Sequence, residues 1–202
     1  MQIWCAQNRH VSAKLNFFSD YPPGMRLFFA IALPQAVLHD FSSLAMPVSH
    51  VRWIPPTNIH LTVQFIGTVE ESVAEQIQRA VRPLQLPSFQ MRLSGVGAFP
   101  SIERPSVLWV GVDADAGLFT LQRDIFSRLD SLQLNLEQRP FRPHITVARI
   151  QRGKRADVTD WIRIHEHYGT DPIRVEAYQL FSSELRPSGA IYRQVAKYSL
   201  IG

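Results

Sequence analysis

The segment HLTVQF, starting at His60, and the segment HITVAR, starting at His144, are one six-residue pattern met twice, 84 positions apart. With seven His and seven Thr in 202 residues, a single His-x-Thr is expected roughly 0.2 times, and two with matching apolar neighbours about 0.001 times. Accident is a poor account. The patterns around each copy also repeat in the order strand, amphipathic helix, His-x-Thr strand, helix. Such a chain is expected to fold as a duplicated α+β arrangement of two sheet lobes.

The periodicities place these elements. RLFFAIALP (26–34) reads as a buried strand, and Pro34 suits the first turn of a helix with Val37, Leu38, Phe41, Leu44 and Ala45 along one stripe. Pro47 ends that helix. HLTVQFIG alternates as a strand up to Gly67, and residues 70–81 form a helix with Val73, Ile77 and Val81 at spacing four. In the second half, FQMRLSGVGAF and SVLWVGV are strands. They precede a helix from Leu118 to Leu132 that carries Leu118, Leu121, Ile125 and Leu129 on one face. A strand HITVARI, a short helix over 158–164, and two strands IRVEAYQLF and IYRQVAKYSLI, turned at Pro187, Ser188 and Gly189, complete the chain.

At 46% hydrophobic and 19% charged residues, the chain can close a core. Its longest apolar stretch, LFFAIAL, falls well short of the roughly 18 residues that a membrane span needs. One cysteine, Cys5, cannot make an internal disulfide, and the start lacks a secretory signal pattern, so a cytoplasmic, membrane-free monomer is the expectation. Residues 1–24 show no period and end in Pro-Pro-Gly. They read as a loose extension, or as the product of a start codon chosen upstream of Met25, ahead of a single two-lobed domain over 25–202.

In a strand, residues two apart share a face at about 3.3 Å rise each, so His60 and Thr62 project together some 6 to 7 Å apart, as do His144 and Thr146. Strict alternation turns Leu61, Val63, Phe65, Ile145 and Val147 inward. Duplicated lobes would set their equivalent faces across one cleft. Two imidazoles with ordinary pKa values near 6.5 can then serve as general base and general acid. In-line displacement at phosphorus needs a proton acceptor on one side and a donor on the other, with hydroxyls for the non-bridging oxygens. This scheme uses neither metal nor cofactor. The sequence carries no H-E-x-x-H, no ligand cluster with metal spacing and no G-x-x-x-x-G-K-[ST] loop. Arg139, Arg142, Arg149, Arg152, Lys154 and Arg155, with no acid among them, suggest a basic rim beside the second motif for an anionic partner.

The two motifs resemble those of the 2H phosphoesterases. The wider text RLFFAIALP, VRWIPPTNIHLTVQFIG, GVGAFPS, RPSVLWVGV, RPFRPHITVAR and SSELRPSGAIY is similar to the bacterial and archaeal RNA 2',3'-cyclic phosphodiesterase (2'-5' RNA ligase) branch, from about Arg26 to the end. The resemblance implies the two-lobed 2H fold, with two antiparallel-rich sheets facing a central cleft and helices outside. It implies hydrolysis of a terminal 2',3'-cyclic phosphate to a 2'-phosphate, and reversible 2'-5' joining of tRNA halves. By the same resemblance, His60 and His144 are catalytic, His60 as acid and His144 as base. Thr62, Thr146 and Arg149 would hold the phosphate, although strict alternation aims Arg149 away from His144 unless a bulge turns it. The partners implied are RNA ends or cyclic nucleotides.

Two other readings compete: a module that grips RNA ends without turnover, and a cyclic phosphodiesterase confined to small nucleotides. Binding alone would favour Arg or Lys over half-charged imidazoles. Among side residues, Phe65 is expected in the core rather than against a base. Trp53 and Phe99 are either nucleotide platforms or rim residues. His165 and His167 are surface histidines, because two ligands without a third make no metal site. His10, His39 and His50 have no partner pattern.

Overall fold

A computed structural model describes residues 24–202 apart from Pro83, Pro187 and Ser188. The extension over residues 1–23, and two of the three residues expected at the last turn, lie outside it. Nine strands form a sheet: β1 (Met25–Ala32), β2 (Val51–Trp53), β3 (His60–Val69), β4 (Phe89–Phe99), β5 (Val107–Ala114), β6 (His144–Ile150), β7 (Ile173–Val175), β8 (Ala177–Arg186) and β9 (Gly189–Ser199). Four helices accompany them: α1 (Gln35–Asp40), α2 (Glu71–Val81), α3 (Ala116–Asp130) and α4 (Thr159–His165). The periodic faces behave as expected. Leu118, Leu121, Ile125 and Leu129 of α3 are buried, as are Ile77 and Val81 of α2, where Ala74 is buried and the expected Val73 is half-buried. α3 starts at a side-chain cap, with the Asp115 carboxylate accepting from the Gly117 N–H at 2.7 Å. The first helix is shorter than its stripe suggested, because from Phe41 the chain tightens into a 3₁₀ turn that still buries Phe41 and Leu44.

The strand order is β7-β4-β5-β6-β3-β1-β8-β9, with β2 pairing β6 as well. The two expected sheets are therefore halves of one sheet. They meet where the first turns of β3 and β6 cross, at the single antiparallel pair Leu61–Ile145. Past that pair β3 leaves with β1, while the same edge of β6 takes β2 through Val51–Ile150, Arg52–Arg149 and Trp53–Ala148. This fork opens the sheet into two lobes and leaves a cleft whose floor is the crossing. The segment expected as one strand, IRVEAYQLF, is divided at Glu176: β7 pairs β4 in one lobe and β8 pairs β1 in the other. One short run thus ties both lobes together. Beneath the sheet a continuous core joins Leu27, Phe29 and Ile31 of β1 to Leu108 and Val110 of β5 and the inner faces of α2 and α3.

Candidate active site

Leu61 and Ile145 are fully buried, so their sequence neighbours point to the other face, into the cleft. The register line through that pair sets His60 opposite Thr146 and Thr62 opposite His144. The four side chains occupy the corners of a parallelogram, with the histidines on one diagonal and the threonines on the other. In a regular ladder such diagonals measure about 7–8 Å, enough for one phosphate group between the rings. All four residues are half-buried, open to the cleft but held by the strands.

Both imidazoles are anchored in the same way. His60 Nδ1 lies 2.9 Å from the Asn58 carbonyl oxygen, and His144 Nδ1 lies 2.7 Å from the Arg142 carbonyl oxygen. A carbonyl only accepts, so each Nδ1 carries the hydrogen and each Nε2 is left for the substrate. The surroundings differ. His60 sits among Phe28 (4.9 Å between centroids), Tyr192 (5.1 Å, edge-on) and Phe181 (6.4 Å). Burial there pushes its pKa from 6.5 down to about 4; the Asn58 bond opposes this, and the Arg149 guanidinium adds to it. His144 meets the Phe99 ring edge-on at 5.0 Å, and Phe99 rests in turn on Trp109.

Each motif also contains a bulge. The β1–β3 register skips Val63, and the β5–β6 register skips Val147. An extra residue reverses the alternation beyond it. Val63 and Gln64 both turn inward, Gln64 bonding Gln122 of α3 at 3.1 Å, and Phe65 emerges on the cleft side, 37% exposed. Its expected place in the core is thereby corrected: it pairs with Phe28, which touches His60, and carries the Arg26 guanidinium 4.7 Å over its ring. Likewise Val147 and Ala148 are buried, and Arg149 returns to the face of His144 and Thr146. The bulge that the arginine required is present.

Other expectations fare unevenly. Trp53 is no platform: its indole N–H donates to the Met46 carbonyl and its ring packs on Trp161. The basic run is divided by β6, with Arg139 and Arg142 before the strand and Arg152, Lys154 and Arg155 after it, at its far end. His165 bonds the Trp161 carbonyl, His167 faces Glu166, and among the described residues no three His, Cys, Asp or Glu side chains gather as metal ligands. Sequence reading missed Phe28, Phe181 and Tyr192 as a wall around His60, because they come from strands 32 to 132 residues away. It also missed Arg52 beside Arg149. The only available signal was their place on the cleft-facing parity of their strands.

The chain is similar to known proteins over most of its length. A family model described as the 2'-5' RNA ligase superfamily matches residues 39–182. An RNA 2',3'-cyclic phosphodiesterase of Archaeoglobus fulgidus is 29% identical, covering 85% of this chain and 98% of its own. One of Aeropyrum pernix is 33% identical, covering 71% of this chain and 82% of its own. The crystal structure of TT0787 from Thermus thermophilus superposes with a TM-score of 0.74 at 28% identity, over 88% of this chain and 99% of that one. Apo LigT of E. coli, at 23% identity and a TM-score of 0.70 over 90% of this chain and all of that one, shares the fold. With 144 residues matched by the family model and His60, Thr62, His144 and Thr146 all inside that span, the chain belongs to the 2'-5' RNA ligase superfamily.

Proposed function

We propose that this protein is an RNA 2',3'-cyclic phosphodiesterase that opens a terminal cyclic phosphate with water to a 2'-phosphate and, with a 5'-hydroxyl as attacker instead, joins ends reversibly through a 2'-5' linkage. The observation that carries the reading is the single crossing at Leu61–Ile145, which faces one His-x-Thr pair against the other. The phosphorus sits above that crossing. His144 Nε2 takes the proton of the attacking water, and His60 Nε2 gives one to the departing 3'-oxygen, so the phosphate stays on the 2'-oxygen. Thr62 and Thr146 hydroxyls donate to the non-bridging oxygens, and Arg149 offsets the charge that builds on them. Burial, with a smaller contribution from Arg149, holds His60 neutral at pH 7. A phosphate anion beside its Nε2 favours the imidazolium, which makes His60 an acid when substrate is bound.

The five-membered cyclic ester is strained, so a 5'-hydroxyl in place of water can conserve the ester as a 2'-5' bond without a nucleotide. Water is far more concentrated, and hydrolysis dominates in dilute solution. Two imidazoles each held by a carbonyl at Nδ1, with Nε2 aimed into the cleft, suit proton transfer better than mere grip. The test is an oligoribonucleotide ending in a 2',3'-cyclic phosphate, incubated with the protein in EDTA. A 2'-phosphate product is expected; persistence of the cyclic end, or a 3'-phosphate product, defeats the proposal.

A further inference from the structure

Arg52 and Arg149 are directly paired across β2 and β6. Paired residues share a face, and the Trp53–Ala148 pair beside them is turned into the core, so both arginines face the cleft. Both are exposed, and the Arg52 guanidinium lies against the start of β9, where a Cβ on Gly189 would come within 2.9 Å of Nη2. Just beyond, Ile150 leads into a turn closed by the Lys154 N–H on the Gln151 carbonyl, which carries exposed Arg152, Lys154 and Arg155. Positive charge thus continues from the cleft through Arg149 and Arg52 to the 152–155 turn, whereas Arg139 and Arg142 lie at the other end of β6.

A terminal cyclic phosphate is a monoanion and already has two hydroxyls and Arg149. It leaves nothing for the rest of this row. An RNA end carries one further negative charge with every upstream nucleotide. The direction also fits: the departing 3'-oxygen belongs to the ribose, so the nucleoside lies on the His60 side of the phosphorus. Because the register sets His60 opposite Thr146, on the way to Arg149, that side is the one from which the basic row departs.

Building on the reading above, we infer that Arg52 is a specificity residue that binds the first phosphodiester upstream of the terminal nucleotide, and that the 152–155 turn receives the next ones. The protein thereby selects polymeric RNA ends over mononucleoside cyclic phosphates. The experiment compares kcat/KM for a mononucleoside 2',3'-cyclic phosphate, a dinucleotide and a decanucleotide with the same terminus. The wild type is expected to favour the dinucleotide at least tenfold. In Arg52→Gln the activity on the dinucleotide falls about tenfold more than that on the mononucleotide, Arg52→Lys restores most of the preference, and the salt slope of log KM falls by about 0.7 for one lost phosphate contact. A triple Arg152→Gln, Lys154→Gln, Arg155→Gln variant, confined to an exposed turn, flattens the decanucleotide slope further. Equal activity of the wild type on all three substrates, or an equal loss on all three in Arg52→Gln, overturns the inference. Absence of turnover on every substrate instead overturns the assigned reaction.

Discussion

Each side chain proposed as catalytic is specified by very little: a strand-start histidine, a carbonyl two residues earlier, and a neighbour of alternate parity. Replacing His60 or His144 by alanine removes one proton-transfer group, and kcat on the cyclic end is expected to drop about 10²- to 10⁴-fold for each. The two should separate on a p-nitrophenyl diester, whose leaving group needs no proton. His144→Ala stays impaired, whereas His60→Ala recovers most of its loss; equal impairment would refute the division into acid and base. The depressed pKa of His60 also bears on stability. As pH falls, the unfolded chain takes up this proton near 6.5 while the folded protein resists until about 4. Stability is thus whole above the unfolded value and is lost as pH falls through that window, by about 2 kcal/mol once partial solvent exposure is allowed for. Urea midpoints at pH 7 and 4.5 should fall further apart in the wild type than in His60→Gln, and identical shifts would mean that the imidazole is not depressed.

The bulges are the decisive feature among the elements. In β3 the extra residue Val63 brings Phe65 to the cleft before a second extra residue, Ile66, turns the parity back, and in β6 the extra Val147 brings Arg149 to the cleft, while Val63 and Val147 stay in the core. Alternation counted along the sequence cannot register an extra residue in one strand, since the bulge is defined by the partner strand. For Arg149 the resemblance demanded a bulge; for Phe65 nothing did, and its expected burial failed. The strand beside His144 has its own constraint. Gly111 pairs with His144, and a Cβ there would lie 2.4 Å from the backbone oxygen of Ser94, which cannot rotate away. Gly111→Ala should destabilise the protein by about 1–3 kcal/mol and lower kcat through displacement of His144. An unchanged denaturant midpoint would show that β4 yields freely.

At the scale of the whole molecule, the lobes share one sheet, one core and the crossover at Glu176. Residues 25–202 are accordingly expected to unfold in a single transition, with tryptophan fluorescence and far-ultraviolet circular dichroism coinciding in urea. Two separated transitions would show that the lobes fold independently. Ile125→Ala, on the fully buried face of α3, should cost about 2–5 kcal/mol and lower both signals together. No helix among the described residues is long and apolar enough to cross a membrane.

By itself the sequence determined what depends on neighbours along the chain. The helix faces of α2 and α3, the strands with their His-x-Thr starts and the duplication follow from hydrophobic period and repetition, and those are local. The tertiary structure alone decided how the copies meet. Only the crossing at Leu61–Ile145 makes two histidines into one site, only the forked edge of β6 sets Arg52 beside Arg149, and only β1, β8 and β9 folding against β3 wrap His60 in Phe28, Phe181 and Tyr192. The reason is physical: register, bulges and burial are relations between strands far apart in the chain, and their free energy exists only once those strands have paired.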